Sequence, residues 1–263
     1  MYVSNNPIDR ISPSMISTYL DCPENFYYTY IAKIQLPRKK IHLEFGSAVH
    51  YAIEQMYKGE EDPIKHFKEH FDVTKLLDEE REEYETHVEL GVEMLTNYLE
   101  QHPMLDKLYD LSPGESERYI RRELINPITG ETTSLPISGI LDRLTDSGRI
   151  IEYKTSKNKW KEDETRFKIQ NLVYNLWYYS EYGRLAEETV YLILLKKYKN
   201  HKRDQTLQVL TSNVTIDELA SAFEEIELII KKIQHGVFER DESKYHPKWC
   251  DCFNYREALN IED

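Results

Sequence analysis

The sequence predicts a mixed α/β fold, with one central sheet flanked by helices, a helical N-terminal region and a helical insertion. Three observations lead there. The hydrophobic period is helical through the first part of the chain, up to Pro103. After Pro113 and Gly114 it changes to strand-like alternation in "SERYIRRELI", "LPISGILDRLT" and "RIIEYKT". From there the pattern runs helix, two strands, helix.

Each element has a local cause. In "ISPSMISTYLDCPENFYYTYI", Ser12 can cap a helix and Pro13 suits its first turn. Pro23 stops that helix and can start another that carries Phe26, Tyr27 and Tyr30. "LEFGSAVHYAIEQMY" (43–57) places Val49, Ile53 and Met56 at helical spacing. Residues 63–102 read as two or more helices, and Pro103, Pro113 and Gly114 mark a loop region. Strands follow at 116–125, 135–145 and 149–155, the last two joined at "DSG". A helix over 164–183 closes at Gly183. "TVYLILLKK" (189–197) is apolar enough for a central strand, and "TLQVLT" (206–211) is a shorter one. "TIDELASAFEEIELIIKKIQHG" opens with a Thr215/Glu218 capping box and ends at Gly236. The expected organisation is one domain over 1–263: N-terminal helices (1–57), a helical insertion (58–112), an α/β core (113–240), and a cysteine-containing tail (241–263).

Composition bounds the function. Hydrophobic residues make up 40% and aromatic residues 12%, which is globular rather than disordered. No run of about 18 apolar residues exists, so no membrane span is expected. The start "MYVSNNPIDR" resembles no targeting segment. Three cysteines, an odd number, do not read as a disulfide framework, so a cytoplasmic location is expected. The net charge of −13 argues against a polyanionic partner. Yet much of the acid lies in one block around Glu79–Glu85, while basic clusters stand at 33–40, 154–161 and 195–203. Each cluster is either a solvated face or part of a nucleic-acid track. No glycine is followed by lysine, so the chain has no phosphate-binding loop of the ATPase kind, and any motor would be a separate chain.

The chemistry concentrates in "GILDRLTDSGRIIEYKTSK" (139–157). Alternation puts Glu152 and Lys154 on one face of a strand. Folding the hairpin about Ser147 brings Asp142 opposite Glu152, and two carboxylates that close need a positive charge between them. Lys154 is one candidate, which would make an ordinary cross-strand ion pair. A divalent cation is the other, which would make a site for phosphodiester hydrolysis.

Asp142, Glu152-x-Lys154 and "QNLVY" (Gln170 to Tyr174) resemble the PD-(D/E)XK nuclease superfamily, and its RecB-type branch more closely. That branch includes nucleases of bacterial recombination complexes, CRISPR-adaptation nucleases, the mitochondrial single-strand exonuclease and many phage exonucleases. "SPSMISTYLDCPENFYYTYI" is similar to the branch's Ser-x₇-Cys-Pro segment, "FGSAVHYAIE" to its Gly-x-x-x-His helix, and "YKTSK" to the stretch leaving the catalytic strand. The matches span 12–57 and 135–180. They imply a restriction-endonuclease-like core, and a divalent-metal-dependent DNA exonuclease acting on ends or single strands in recombination, repair or phage DNA metabolism. A CRISPR-adaptation-type trimming nuclease, a structure-specific endonuclease and a non-catalytic DNA-end-binding subunit are the alternatives. The implied setting is a bacterial or phage-infected cell, with a separate helicase, recombinase or single-strand-binding protein as a partner.

The resemblance also implies residue roles. Asp142, Glu152, Lys154, Gln170 and Tyr174 are the implied catalytic set. His50, Asp142, Glu152 and the Tyr153 carbonyl would hold Mg²⁺ or Mn²⁺. Without the resemblance, His50 reads as a core histidine beside Val49 and Ile53, and Tyr174 as core packing near Trp177. Lys157, Lys159, Trp160 and Lys161, with Gln170 and Tyr174, would contact DNA. Trp160 is either a stacking residue or a loop anchor. Glu123, Glu117 and Glu131 compete to supply a further carboxylate. The other histidines, such as His66, His70 and His87, read as surface residues. Two departures stand out. Leu141 replaces the proline of the superfamily's name. Cys22, Cys250 and Cys252 also fall short of the four thiolates a [4Fe–4S] cluster needs, so no cluster is expected. Either His246 joins the three thiols around zinc, or Cys22 is a small packed hydrophobe while Trp249, Phe253 and Tyr255 dock the tail on the N-terminal helices.

Overall fold

The computed structural model describes residues 8–34, 41–60, 62–161, 168–196, 206–240 and 250–259. Five strands form one mixed sheet in the order β1-β2-β3-β4-β5: β1 (Gly114–Arg122), β2 (Ile137–Thr145), β3 (Ile150–Ser156), β4 (Thr189–Leu195) and β5 (Leu207–Ser212). Only β3 and β4 run parallel, joined through α6 (Ile169–Tyr182), and the other neighbours are antiparallel.

One face of the sheet is covered by α1 (Pro13–Asp21), α6 and α7 (Ile216–Gln234). Their Ile16, Val173, Trp177, Phe223 and Ile230 pack with Leu141 and Ile150 of the sheet. The second face is covered by α3 (Ile41–Tyr57), α4 (Pro63–His70) and α5 (Tyr84–Tyr109). There Phe45, Val49, Phe67, Leu95 and Tyr98 pack with Ile151, Tyr153 and Val190. Ser12 caps α1 as expected, with its hydroxyl accepting from the Met15 N–H, and the Thr215/Glu218 capping box is formed at α7.

Two expectations are corrected. Pro103 does not end a helix: α5 runs through it to Tyr109, where Asp110 turns left-handed at φ 54°. An internal proline costs a helix about 3 kcal/mol, and burial of Tyr98, Leu105 and Leu111 on either side outweighs that cost. The inserted helices supply much of one hydrophobic layer. His87 is buried, with its ring edge-on to Phe45 and Nδ1 against the Glu83 carbonyl.

Near the N-terminus, α2 (Pro23–Phe26) runs into a π-helical turn, Tyr27–Ile31, in which the Ala32 N–H reaches the Tyr27 carbonyl. The C-terminal helix α8 (Asp251–Leu259) docks on this segment. Tyr255 packs on Tyr28, and Arg256 pairs with the buried Glu24 at 2.8 Å. Trp249 and His246 lie outside the described residues.

Candidate active site at a fork in the sheet

The β2–β3 hairpin turns tightly at Asp146–Ser147–Gly148, and Gly148 takes φ 90°. Its ladder pairs Arg143 with Ile151 and Leu144 with Ile150, the register that sets position 142 across from 152. Regular pairing then stops and the strands diverge. Side chains take over the freed backbone groups. The Tyr153 N–H donates to Asp142 Oδ2 at 2.8 Å, and the Tyr174 hydroxyl donates to the Ile140 carbonyl at 2.7 Å. The N-terminal segment fills the far end, where Ser138 N–H donates to the Ile11 carbonyl.

Asp142 and Glu152 therefore stand on the two arms of a fork. His50, on α3, places Nδ1 3.3 Å from Asp142 Oδ1. Lys154 Nζ lies 2.8 Å from Glu152 Oε2. Glu152 is 0% exposed, and its Oε1 has no hydrogen-bond partner among the described residues. Burial and the Asp142 carboxylate push the Glu152 carboxyl up to about 7. Burial also works against ionised Asp142, but His50, Lys154 and the Tyr153 N–H outweigh it and hold the group below its usual range. For His50 and Lys154, burial disfavours the charge and the carboxylates more than restore it, so both are raised.

A third carboxylate completes the group. Ser116 pairs with Arg143 and Arg118 with Leu141, so Glu117 faces Asp142 across the β1–β2 ladder. It leaves the extended region at φ 50°, a conformation costly for a residue with a side chain. Glu117 lines a cavity with His50, Glu54, Tyr57 and Asp142. Burial, Asp142 and Glu54 push its carboxyl up to about 7. Glu123 lies beyond the end of β1, and Glu131 is exposed and bonded to Thr129. Beneath the site, Arg143 is buried against the Tyr57 ring, donating to the carbonyls of Leu111 and Ser112 and to the Ser116 hydroxyl.

Two clefts flank the carboxylates. The larger, of about 760 Å³, is lined by Ser12, Ser17, Lys168, Gln170, Tyr174 and Ile140. The smaller, of about 380 Å³, is lined by Ser47, His50, Tyr51, His70, Asp142 and Ile140. Gln170 donates to the Tyr174 hydroxyl at 3.4 Å. Lys157, Lys159 and Lys161 are exposed past the end of β3. Trp160 takes the anchoring position rather than an open one. Gln208 holds its backbone N–H and carbonyl, its ring packs 5.8 Å from Tyr191, and the Lys168 ammonium covers it at 3.2 Å. Lys196 is not on a solvated basic track: it is 7% exposed, its ammonium over the Phe45 ring, and burial lowers its pKa. Lys197 and Lys199 lie outside the described residues.

The three cysteines converge where Cys22 joins α1 to α2 and where Cys250 and Cys252 stand at the start of α8. Their sulfurs lie within 4.8 Å of one another. Burial raises the Cys22 and Cys252 thiols.

Among the described residues no helix is long and apolar enough to cross a membrane. No curated protein matches the chain. Its fold is similar to the crystal structure of a "Putative exonuclease" from Eubacterium rectale. That match has a TM-score of 0.56 at 15% identity and covers 94% of this chain and 88% of that one. A looser likeness, to the structure of SSO0001, has a TM-score of 0.36 at 15% identity and covers 92% and 93% of the two chains. The family model of the PD-(D/E)XK nuclease superfamily matches residues 10–255, which takes in the whole sheet and every carboxylate of the fork, and the chain belongs to that superfamily.

Proposed function

We propose that the protein is a divalent-metal-dependent DNA exonuclease that hydrolyses phosphodiester bonds at ends or on single strands. One observation carries the metal dependence. Glu152 is fully buried, with one oxygen on Lys154 and the other unpartnered, beside a second carboxylate. An unsatisfied buried oxygen of this kind is costly, and a bound cation would satisfy it. Asp142, Glu152, Glu117 and His50, with the Tyr153 carbonyl, are the residues that would hold Mg²⁺ or Mn²⁺. Oxygen-rich donors with one imidazole suit either ion. When bound, such an ion activates water and neutralises charge on a phosphate.

The chain's own groups have separate tasks. Asp142, kept ionised, supplies a permanent charge at the mouth of the fork. Lys154, kept protonated and two residues past Glu152, orients the attacking water or meets the charge that develops on the phosphate. Tyr174 and Gln170 fix β2 at Ile140 and line the cleft along which the strand would run. Lys157, Lys159 and Lys161 would meet phosphates outside it. The exonuclease reading draws support from the fold likeness to a protein titled as an exonuclease. Roles in recombination, repair or phage DNA metabolism, and a helicase or recombinase partner, belong to the same reading.

The test is cleavage of single-stranded, linear duplex and closed circular DNA with Mg²⁺, Mn²⁺ or EDTA. Linear substrates are expected to be cut in either metal and circles spared. Equal cutting of closed circles would replace the exonuclease with an endonuclease, and cutting in EDTA would remove the metal.

A further inference from the structure

An exposed apolar pair lies beside the carboxylates and takes no part in the chemistry above. Tyr119 of β1 is 61% exposed, and its register partner Ile140 of β2 is 48% exposed. Directly opposed residues of antiparallel strands project from the same side of the sheet. The pair is next but one along the same ladder to Glu117 and Asp142, a step of about 7 Å. Its position is fixed: the Tyr174 hydroxyl holds the Ile140 carbonyl, and the ladder pairs Arg118 with Leu141 and Ile120 with Gly139 on either side.

Two features indicate what lies on it. Ile140 belongs to the walls of both clefts, so a strand running from the Ser12/Gln170 cleft into the His50/Asp142 cleft has to cross it. The flanking groups also change character there. The first cleft offers hydroxyls, the Gln170 amide and the Lys168 ammonium among apolar side chains such as Leu20 and Ile169, with the Asp21 carboxylate at its wall, whereas Ile140 and its ladder partner Tyr119 present no charged group. A phosphate gains nothing from such a surface. A nucleobase does, and stacking on a tyrosine ring tolerates any base. In a duplex that base face is already covered by its neighbours.

We propose that Tyr119 and Ile140 form a platform for the base beside the scissile phosphate, so that the enzyme selects an unpaired strand. The proposal rests on the nuclease reading and deepens it. Both residues act by positioning the strand.

The test uses single-stranded oligonucleotides with 2-aminopurine at successive positions, bound to the full-length Lys154→Ala protein, which is expected to hold substrate uncut. Fluorescence should be quenched at one position next to the scissile phosphate. Tyr119→Ala should abolish that quench and weaken single-strand binding by about fivefold to a hundredfold, the worth of one base–aromatic stack. Tyr119→Phe should retain both. In the active protein, Tyr119→Ala should raise KM for single strands with kcat held within about threefold, and an abasic site at the quenched position should bring wild type to the same KM. Thermal melting of each variant checks its fold, and the exposure of Tyr119 predicts little change on its substitution. Single-strand affinity and KM of a folded Tyr119→Ala protein within twofold of wild type, with cleavage intact, would refute the platform and leave the nuclease standing. No metal-dependent cleavage by wild type would overturn the nuclease reading and the platform with it.

Discussion

Glu117 offers a test of the site that needs no DNA. Its carboxyl is displaced from an ordinary 4.5 to about 7 by burial, Asp142 and Glu54. Folded protein then binds more protons than unfolded protein between those values. Stability is unpenalised below about pH 4.5, falls as pH rises toward 7, and carries the full penalty above it. The displacement corresponds to about 3 kcal/mol for a fully enclosed group. Glu117 is only partly buried, and solvent screening reduces this to about 1–2 kcal/mol. Glu117→Gln removes the charge and keeps the shape. In EDTA at pH 8 the variant should unfold about 1–2 kcal/mol harder than wild type in urea, and at pH 4.5 the two should coincide. Mg²⁺ at pH 8 should stabilise wild type more than the variant, because the ion takes the place of the missing proton. A Glu117→Gln protein no more stable than wild type at pH 8 would show that Glu117 does not share the field of Asp142.

Other outcomes follow from the same geometry. Lys154→Ala and Glu152→Ala should each abolish cleavage, a loss of at least about 2–4 kcal/mol in the barrier for the lysine, and activity within a few-fold of wild type would refute the assignment. Gly91→Ala should lower the melting temperature by the equivalent of about 1–3 kcal/mol, since its Cβ would collide with the buried Phe67 ring; an unchanged melt would mean that α4 yields. Purified protein should lack the absorbance near ~400 nm and the stoichiometric iron of a thiolate-ligated cluster, and finding both would require a fourth ligand beyond Cys22, Cys250 and Cys252. Changing Lys157, Lys159 and Lys161 to alanine should flatten the salt dependence of single-strand binding by about 0.7 per lost phosphate contact; equal slopes would place the strand elsewhere.

What the sequence disclosed depended on how each register is fixed. The three-residue turn at Asp146–Gly148 leaves one way to fold β2 onto β3, and residue 142 could be set against 152 by counting from Ser147. No such count was possible for β1. Fourteen residues, 123–136, connect it to β2, and a connection of that length leaves the register open. Glu117 was thus one of three candidates until the ladder placed it at Asp142. Lys196 read as part of a basic run because charge pattern carries no information on burial, and Phe45, which covers it, is far away in sequence. Pro103 read as a stop because local propensity does not see the tertiary burial of Leu105 and Leu111. The cysteines could be counted, but their convergence depends on α8 docking on α2, which no spacing encodes.

The fork has a mechanical consequence. A paired sheet behaves as a stiff plate, and past Arg143 and Ile151 the plate is cut. Across that cut, the clasp at Asp142 is its own side chain, closed on the Tyr153 N–H. One carboxylate is thus at once an electrostatic group and a structural latch. Truncating it to alanine opens the latch and lets the two arms spread, whereas asparagine removes the charge with the latch still shut, since its amide oxygen can accept the same bond. The difference between those two variants in hydrogen exchange at Tyr153 measures how far the spacing of the arms is held by that clasp rather than by the layers packed above and below.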